Sequence, residues 1–275
     1  MLDGMPRRLY PASPARLGTY ADCPRRYRHA YLDRPSPPRG PAWGRTSIGA
    51  SVHDALARWW DLPRSRRTPE AGGAMLVSGW RDDGFRDRRQ SAAARERSRR
   101  DVERYLAGVD ADVRPLAVER TFSVTTGRAS LWGRVDRLDD RPGAGVVVVD
   151  YKTGRSVLSV DDARRSLALA VYAAAVASTL RRSCTKVELH HLPTGAVHAW
   201  EHTEESLTEQ LARADALAAE LDDLDERFGS GLSDREADAL FPARVEPRCG
   251  WCEFRGVCRP GRQVPGHRPW DGVED

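Results

Sequence analysis

At 275 residues, 40% of them hydrophobic, the chain is long enough to bury one sizeable core, as one large domain or one and a half. It carries neither a signal-peptide pattern nor an apolar run able to span a bilayer, which points to the cytoplasm. The net charge of +4 is modest, and five cysteines in a cytoplasmic chain argue against a disulfide framework.

In chain order, residues 1–12 read as loosely held. Ser13-Pro14 reads as an N-cap with proline at the first helical position, opening a helix over about Pro14 to Leu32. Leu17, Tyr20 and Tyr27 form its apolar stripe, with Cys23 on or near that face. Residues 35–44 are a turn-rich linker. A helix over Ile48 to Asp61 follows, with Val52, Leu56, Trp59 and Trp60 at helical spacing and His53 in its first turns. Residues 62–112 are arginine-rich and read as two inserted helices anchored by Trp80, Phe85 and Tyr105.

Strands at 115–124 and 129–138 form a hairpin around Thr126-Gly127, and the valine run at 145–151 makes a third strand. An alanine-rich helix, about Asp161 to Arg181, leads to strands at 185–192 and 196–201. A long helix over about 204–227 precedes a cysteine-rich tail. The order implies an α/β fold whose mixed sheet is flanked by helices, with sites at strand ends.

The stretch Gly145 to Lys152 reads as a strand buried on both faces. Asp150 and Lys152, two apart, project from the same face at its end. The lysine stands out, because only two of the 44 basic residues are lysines, Lys152 and Lys186. Asp136 lies fourteen residues earlier on the preceding strand. If those strands pair, both carboxylates reach one end of the sheet. They repel unless a hard cation such as Mg²⁺ or Mn²⁺ lies between them. Such a cation can activate water on a phosphodiester, with Lys152 stabilising charge and His53 completing the shell. A surface ion pair and an ordinary helix histidine are the plain alternatives.

Cys249, Cys252 and Cys258 place three thiols in one short segment, and a soft-metal site wants a fourth. His267 is a local candidate and Cys23 a distant one, while Cys184 reads as a small buried hydrophobe. Spacing alone leaves zinc and iron–sulfur open. Arg95, Arg97, Arg99, Arg100 and Arg104 form one basic group and Arg25, Arg26 and Arg28 another. Both suit a phosphate backbone, and both also suit a solvated helix face. Trp43, Trp59 and Trp60 are candidates for base stacking or for the core.

His53 in GASVHDAL, Asp136 in GRVDRLD and the run DYKTG at 150–154 resemble the PD-(D/E)XK nuclease superfamily, in its RecB-like exonuclease branch. The resemblance implies a restriction-endonuclease-like core in which His53, Asp136 and Asp150 bind the metal and Lys152 is the catalytic lysine. It adds the Tyr151 backbone carbonyl to the metal shell, with Glu119 in a supporting role. It further implies that Cys23, Cys249, Cys252 and Cys258 hold a [4Fe-4S] cluster joining the chain ends. The expected division is residues 1–45, a nuclease core over 46–240 with the helical insert at 62–112, and the cluster segment over 241–275.

The expected activity is a metal-dependent DNA exonuclease acting on single strands or ends in repair or recombination. A CRISPR-associated spacer-processing nuclease and a non-catalytic iron–sulfur DNA-binding module share these features. One departure stands out: the family's Gln-x-x-x-Tyr pair keeps Tyr172, but Ala168 replaces the glutamine, with Ser166 nearby but out of register. No Gly-x4-Gly-Lys-Ser/Thr loop is present, so unwinding would fall to a helicase partner.

Overall fold

The computed structural model describes residues 8–274. Its strands are β1 (Tyr10–Ala12), β2 (Ala117–Thr125), β3 (Ala129–Arg141), β4 (Gly145–Lys152), β5 (Lys186–His191) and β6 (Ala196–Glu201). Its helices are α1 (Pro14–Asp22), α2 (Pro24–Tyr31), α3 (Gly44–Trp60), α4 (Pro69–Ser78), α5 (Arg88–Ala107), α6 (Val160–Arg165), α7 (Leu167–Leu180), α8 (Glu204–Gly229) and α9 (Asp234–Leu240). No helix among the described residues is long and apolar enough to cross a membrane.

All six strands join one mixed sheet in which β3 is the spine. The first residues of β3 pair in parallel with β1, and its last residues pair antiparallel with β4. β2 runs antiparallel along the opposite side of β3. β4 and β5 are parallel, linked by a crossover through α6 and α7, and β6 closes the far edge.

The valine run explains the layering. Val147 and Val149 face α3 among Val52, Leu56, Trp59 and Tyr151, whereas Val146 and Val148 face α7 among Leu169, Ala173 and Val176. All four valines are at most 1% exposed, so each contributes roughly 2 kcal/mol of burial. Trp59 and Trp60 belong to this core, and Cys184 is a buried hydrophobe as expected. A third apolar cluster packs α1 and α2 against α8. There the hydroxyl of Tyr10 donates to Asp225 at 2.6 Å and that of Tyr27 donates to it at 2.9 Å.

The structure corrects several boundaries. The helix expected over 14–32 breaks at Cys23 (φ −162°, ψ 112°), because Pro24 disfavours helical backbone in the residue before it. The helix expected over 161–181 breaks at Ser166, whose side chain caps α7 by accepting from Leu169 N. Within the stretch read as loose, residues 10–12 form β1, and residues 1–7 lie outside the described residues. The short α9 was not foreseen.

Beneath the α3 face lies a buried polar network. Asp139 accepts from Arg137 at 2.9 Å and from Arg141 at 2.8 Å. Glu188 accepts from Arg141 at 2.8 Å and pairs with His190 Nε2 at 2.9 Å, while the Tyr105 hydroxyl meets His190 Nδ1 at 2.8 Å. Burial holds the His190 imidazole below its ordinary value. The same burial would raise Glu188, but the bonds from His190 and Arg141 outweigh it and hold the carboxyl down to about 2. A depressed carboxylate stabilises the fold above its unfolded pKa, and that contribution is lost as pH falls toward the folded value. Acid unfolding should therefore include a loss of about 3 kcal/mol from this group between pH 4.5 and about 2. In Glu188→Gln, chemical denaturation across that range should lack this segment; an unchanged acid limb would contradict the account.

Candidate active site

β2, β3 and β4 bring the acidic residues together at one end of the sheet. Glu119 lies between Val118 and Arg120, which pair with Arg137 and Val135, so it stands opposite Asp136. Its φ of 49° is left-handed, a conformation that costs a non-glycine residue on the order of 1 kcal/mol or more. β3 also changes phase here: Val135 packs toward α7, yet Leu138 packs there too, while Arg137 turns to Trp60 and Tyr151 on the α3 side. Asp136 thus sits where the regular alternation of the strand is interrupted. The Tyr151 backbone N–H anchors its carboxylate, donating to Oδ2 at 2.8 Å.

His53 reaches this point from α3. Its Nδ1 lies 3.3 Å from Asp136 Oδ1 and 3.9 Å from Glu119 Oε1, and its ring stands edge-on to Tyr151. One donor atom from each of His53, Glu119 and Asp136 falls within 4.8 Å of the others. Asp150, on β4, turns instead toward Lys152, with Oδ2 2.6 Å from Nζ. Asp150 Oδ2 is buried and makes no hydrogen bond of standard geometry. Arg134 holds the other oxygen of Glu119 at 2.5 Å.

The electrostatics record the crowding. Burial pushes the Asp150 carboxyl up and Asp136 adds to the rise, against the pull of Lys152. Glu119 is raised likewise by burial and by Asp136. Burial lowers His53, but its hydrogen bond to Asp136 and the surrounding carboxylates prevail, and the net shift is upward. Tyr172, on α7, lies over Gly133, where an added Cβ would collide with the ring. Burial, then the charges of Asp150 and Asp136, push its phenol up to about 12, so it remains a hydrogen-bond donor at neutral pH.

The chemistry of the donor set suits a hard divalent cation: two carboxylates and an imidazole converge, and a third carboxylate, Asp150, is raised by its burial and by the charge of Asp136. Sequence reasoning named all of these residues but ranked Glu119 as supporting. The structure places it inside the converging group and sets Asp150 beside Lys152. The cross-strand register was the missing signal.

The cysteines assemble elsewhere. Cys23 projects from the break between α1 and α2, and it lines one cavity of about 330 Å³ with Cys249, Cys252 and Cys258. Gly261 leaves room beside Cys258 Sγ and Cys249 Cβ. His267 is not among the lining residues; it stacks on Trp251 with ring centroids 4.0 Å apart. Arg25, Arg26 and Arg28, read as one possible phosphate patch, hold this region together instead. Arg25 donates to Phe241 O at 2.8 Å, Arg26 pairs with Glu253 at 3.1 Å and Arg28 with Asp238 at 2.9 Å.

A family model for the PD-(D/E)XK nuclease superfamily matches residues 11–259. No curated protein matches the chain. Among solved structures it is similar to a candidate exonuclease from Eubacterium rectale, at 11% identity and TM-score 0.46 over 75% of this chain and 78% of that one. It is also similar to the protein SSO0001, at 13% identity and TM-score 0.32 over 94% and 89%. Both likenesses are too remote to carry a functional argument.

Proposed function

The chain belongs to the PD-(D/E)XK nuclease superfamily, whose members use divalent metals, and on that premise we propose that it is a RecB-like DNA exonuclease acting on single strands or ends in repair or recombination. The observation that carries the catalytic reading is the convergence of His53, Glu119 and Asp136 beside the Asp150–Lys152 pair at the end of β4.

His53, Glu119 and Asp136 would hold the cation, with Asp150 and the Tyr151 backbone carbonyl at its margin. A bound divalent cation polarises a phosphoryl oxygen and lowers the pKa of water to yield a nucleophile. The remaining work belongs to the chain. Lys152, half-exposed and held by Asp150, offers its ammonium to charge developing on the phosphoryl oxygens. Tyr172 offers a protonated phenol from the opposite wall. Ser166 caps α7 and is thereby committed, so it does not replace the glutamine that Ala168 lacks.

For the cysteines we propose a structural [4Fe-4S] cluster held by Cys23, Cys249, Cys252 and Cys258. Four thiols lining one cavity supply the donor set. Burial pushes the Cys252 thiol up to about 11. The arginines around the cavity, Arg25, Arg26, Arg45, Arg244, Arg248 and Arg255, suit a cofactor whose ligands are thiolates.

End-labelled single- and double-stranded DNA, incubated with Mg²⁺ or Mn²⁺, tests the nuclease. Cleavage should require metal and fall at least a hundredfold in Lys152→Ala; equal cleavage by that variant would overturn the assignment. DNA binding without cleavage by the intact protein would favour the non-catalytic module, with Ala168 as the first cause to examine. Anaerobically purified protein should carry about four iron and four sulfide per chain, with broad visible absorbance that is lost in Cys252→Ser. Zinc in place of iron would refute the cluster.

A further inference from the structure

A groove beside the proposed site has no part in the catalytic reading. It runs between α5 and the turn after β4 and is lined by Arg45, Arg97, Arg100, Arg104, Arg155 and Trp251. One end begins at Arg155, three residues beyond Lys152; the other reaches the cysteine-bearing segment at Trp251. Arg45 is fixed there by Trp251, its guanidinium 4.2 Å from the ring centroid, and His267 stacks on the same indole at 4.0 Å. The turn itself is held by His191, whose Nε2 meets Gly154 O at 2.5 Å while Nδ1 meets the Thr194 hydroxyl at 2.8 Å.

The groove already holds an anion belonging to the protein. The carboxylate of Glu274 pairs with Arg155, and its carbonyl accepts from Arg97 at 2.7 Å. The neighbouring Val273 carbonyl accepts from Gln90 at 3.0 Å. Five guanidinium groups face this space, whereas among the described residues the acids lining it are Asp101, paired with Arg104 at 2.9 Å, and Glu274. Arginine suits this role because its planar fork matches phosphate oxygens in pairs.

We infer that this groove carries the phosphate backbone of a single nucleic-acid strand between the carboxylate–lysine site and Trp251, and that residues 270–274 form an acidic strap the strand must displace. This deepens the nuclease reading and rests on it for the identity of the strand. A groove that one peptide segment fills suits one strand rather than a duplex. The strap lowers affinity by as much as its own contacts must be broken before a phosphate takes their place.

The test measures binding apart from cleavage. A fluorescently labelled single-stranded oligonucleotide is titrated with protein in EDTA, and anisotropy is read at several salt concentrations, with circular dichroism as a folding control. In the double variant Arg100→Ala/Arg104→Ala, affinity at low salt should drop at least tenfold. The slope of log affinity against log salt should flatten by about 1.4, the release expected for two phosphate contacts on a single strand. Glu274→Ala should bind severalfold tighter than the parent. An unchanged affinity and slope in the folded double variant would overturn the groove. Unchanged or weaker binding by Glu274→Ala would overturn the strap, and tighter binding of duplex than of single strand would overturn the occupant. A parent that binds through these arginines yet never cleaves with metal would defeat the nuclease reading while leaving the groove standing.

Discussion

Charge crowded at the end of a buried strand is the constraint on which the rest of the molecule depends. Strand pairing sets Glu119 opposite Asp136, and the turn between β3 and β4 returns Asp150 to the same end of the sheet. Each of these carboxylates disfavours ionisation of its neighbours, as the upward shifts of Asp150 and Glu119 record. Only strongly buried flanking structure can hold such a group in place. The four valines of β4, packed between α3 and α7, provide that anchorage. His53 and Lys152 offset part of the charge, and a divalent cation would offset more.

The local irregularities have the same centre. Glu119 adopts left-handed backbone within a strand, and β3 reverses its alternation across Asp136. Both depart from what regular sheet geometry favours, and both turn carboxylates toward a shared point. Strain concentrated where charged groups converge is the usual mark of a working site rather than of a scaffold. The buried network of Arg137, Asp139, Arg141 and Glu188 differs: its two guanidinium groups and two carboxylates are opposite in sign and paired with one another, so it ties the strands together beneath the site.

Much of this was legible in the sequence because the informative residues sit in strong local patterns. The valine run marked β4, and Asp150, Lys152, Asp136 and His53 fell at positions that strand and helix periodicity could place. The break at Cys23 was signalled by Pro24, which disfavours helical backbone in the residue before it, and the continuous helix expected there passed over that signal. The break at Ser166 was not legible, because serine followed by an alanine-rich run reads as continuous helix until backbone angles are known. Three residues make too short a strand to announce itself, so β1 was missed. The place of Glu119 depended on cross-strand register and a positive φ, neither of which one strand reveals. The roles of the two arginine groups likewise depended on tertiary partners: Arg25 and Arg28 are buried in bonds, while Arg100 and Arg104 line a surface groove.

The most direct test is Mn²⁺ binding followed by electron paramagnetic resonance, comparing the parent with Asp136→Asn and Glu119→Gln. Substitution to the amide keeps the shape and removes the charge. Saturable binding at one or two sites, weakened at least tenfold by each substitution, would match a cation held where the carboxylates converge. Binding of equal strength in all three proteins would place the metal elsewhere and contradict the account of this site.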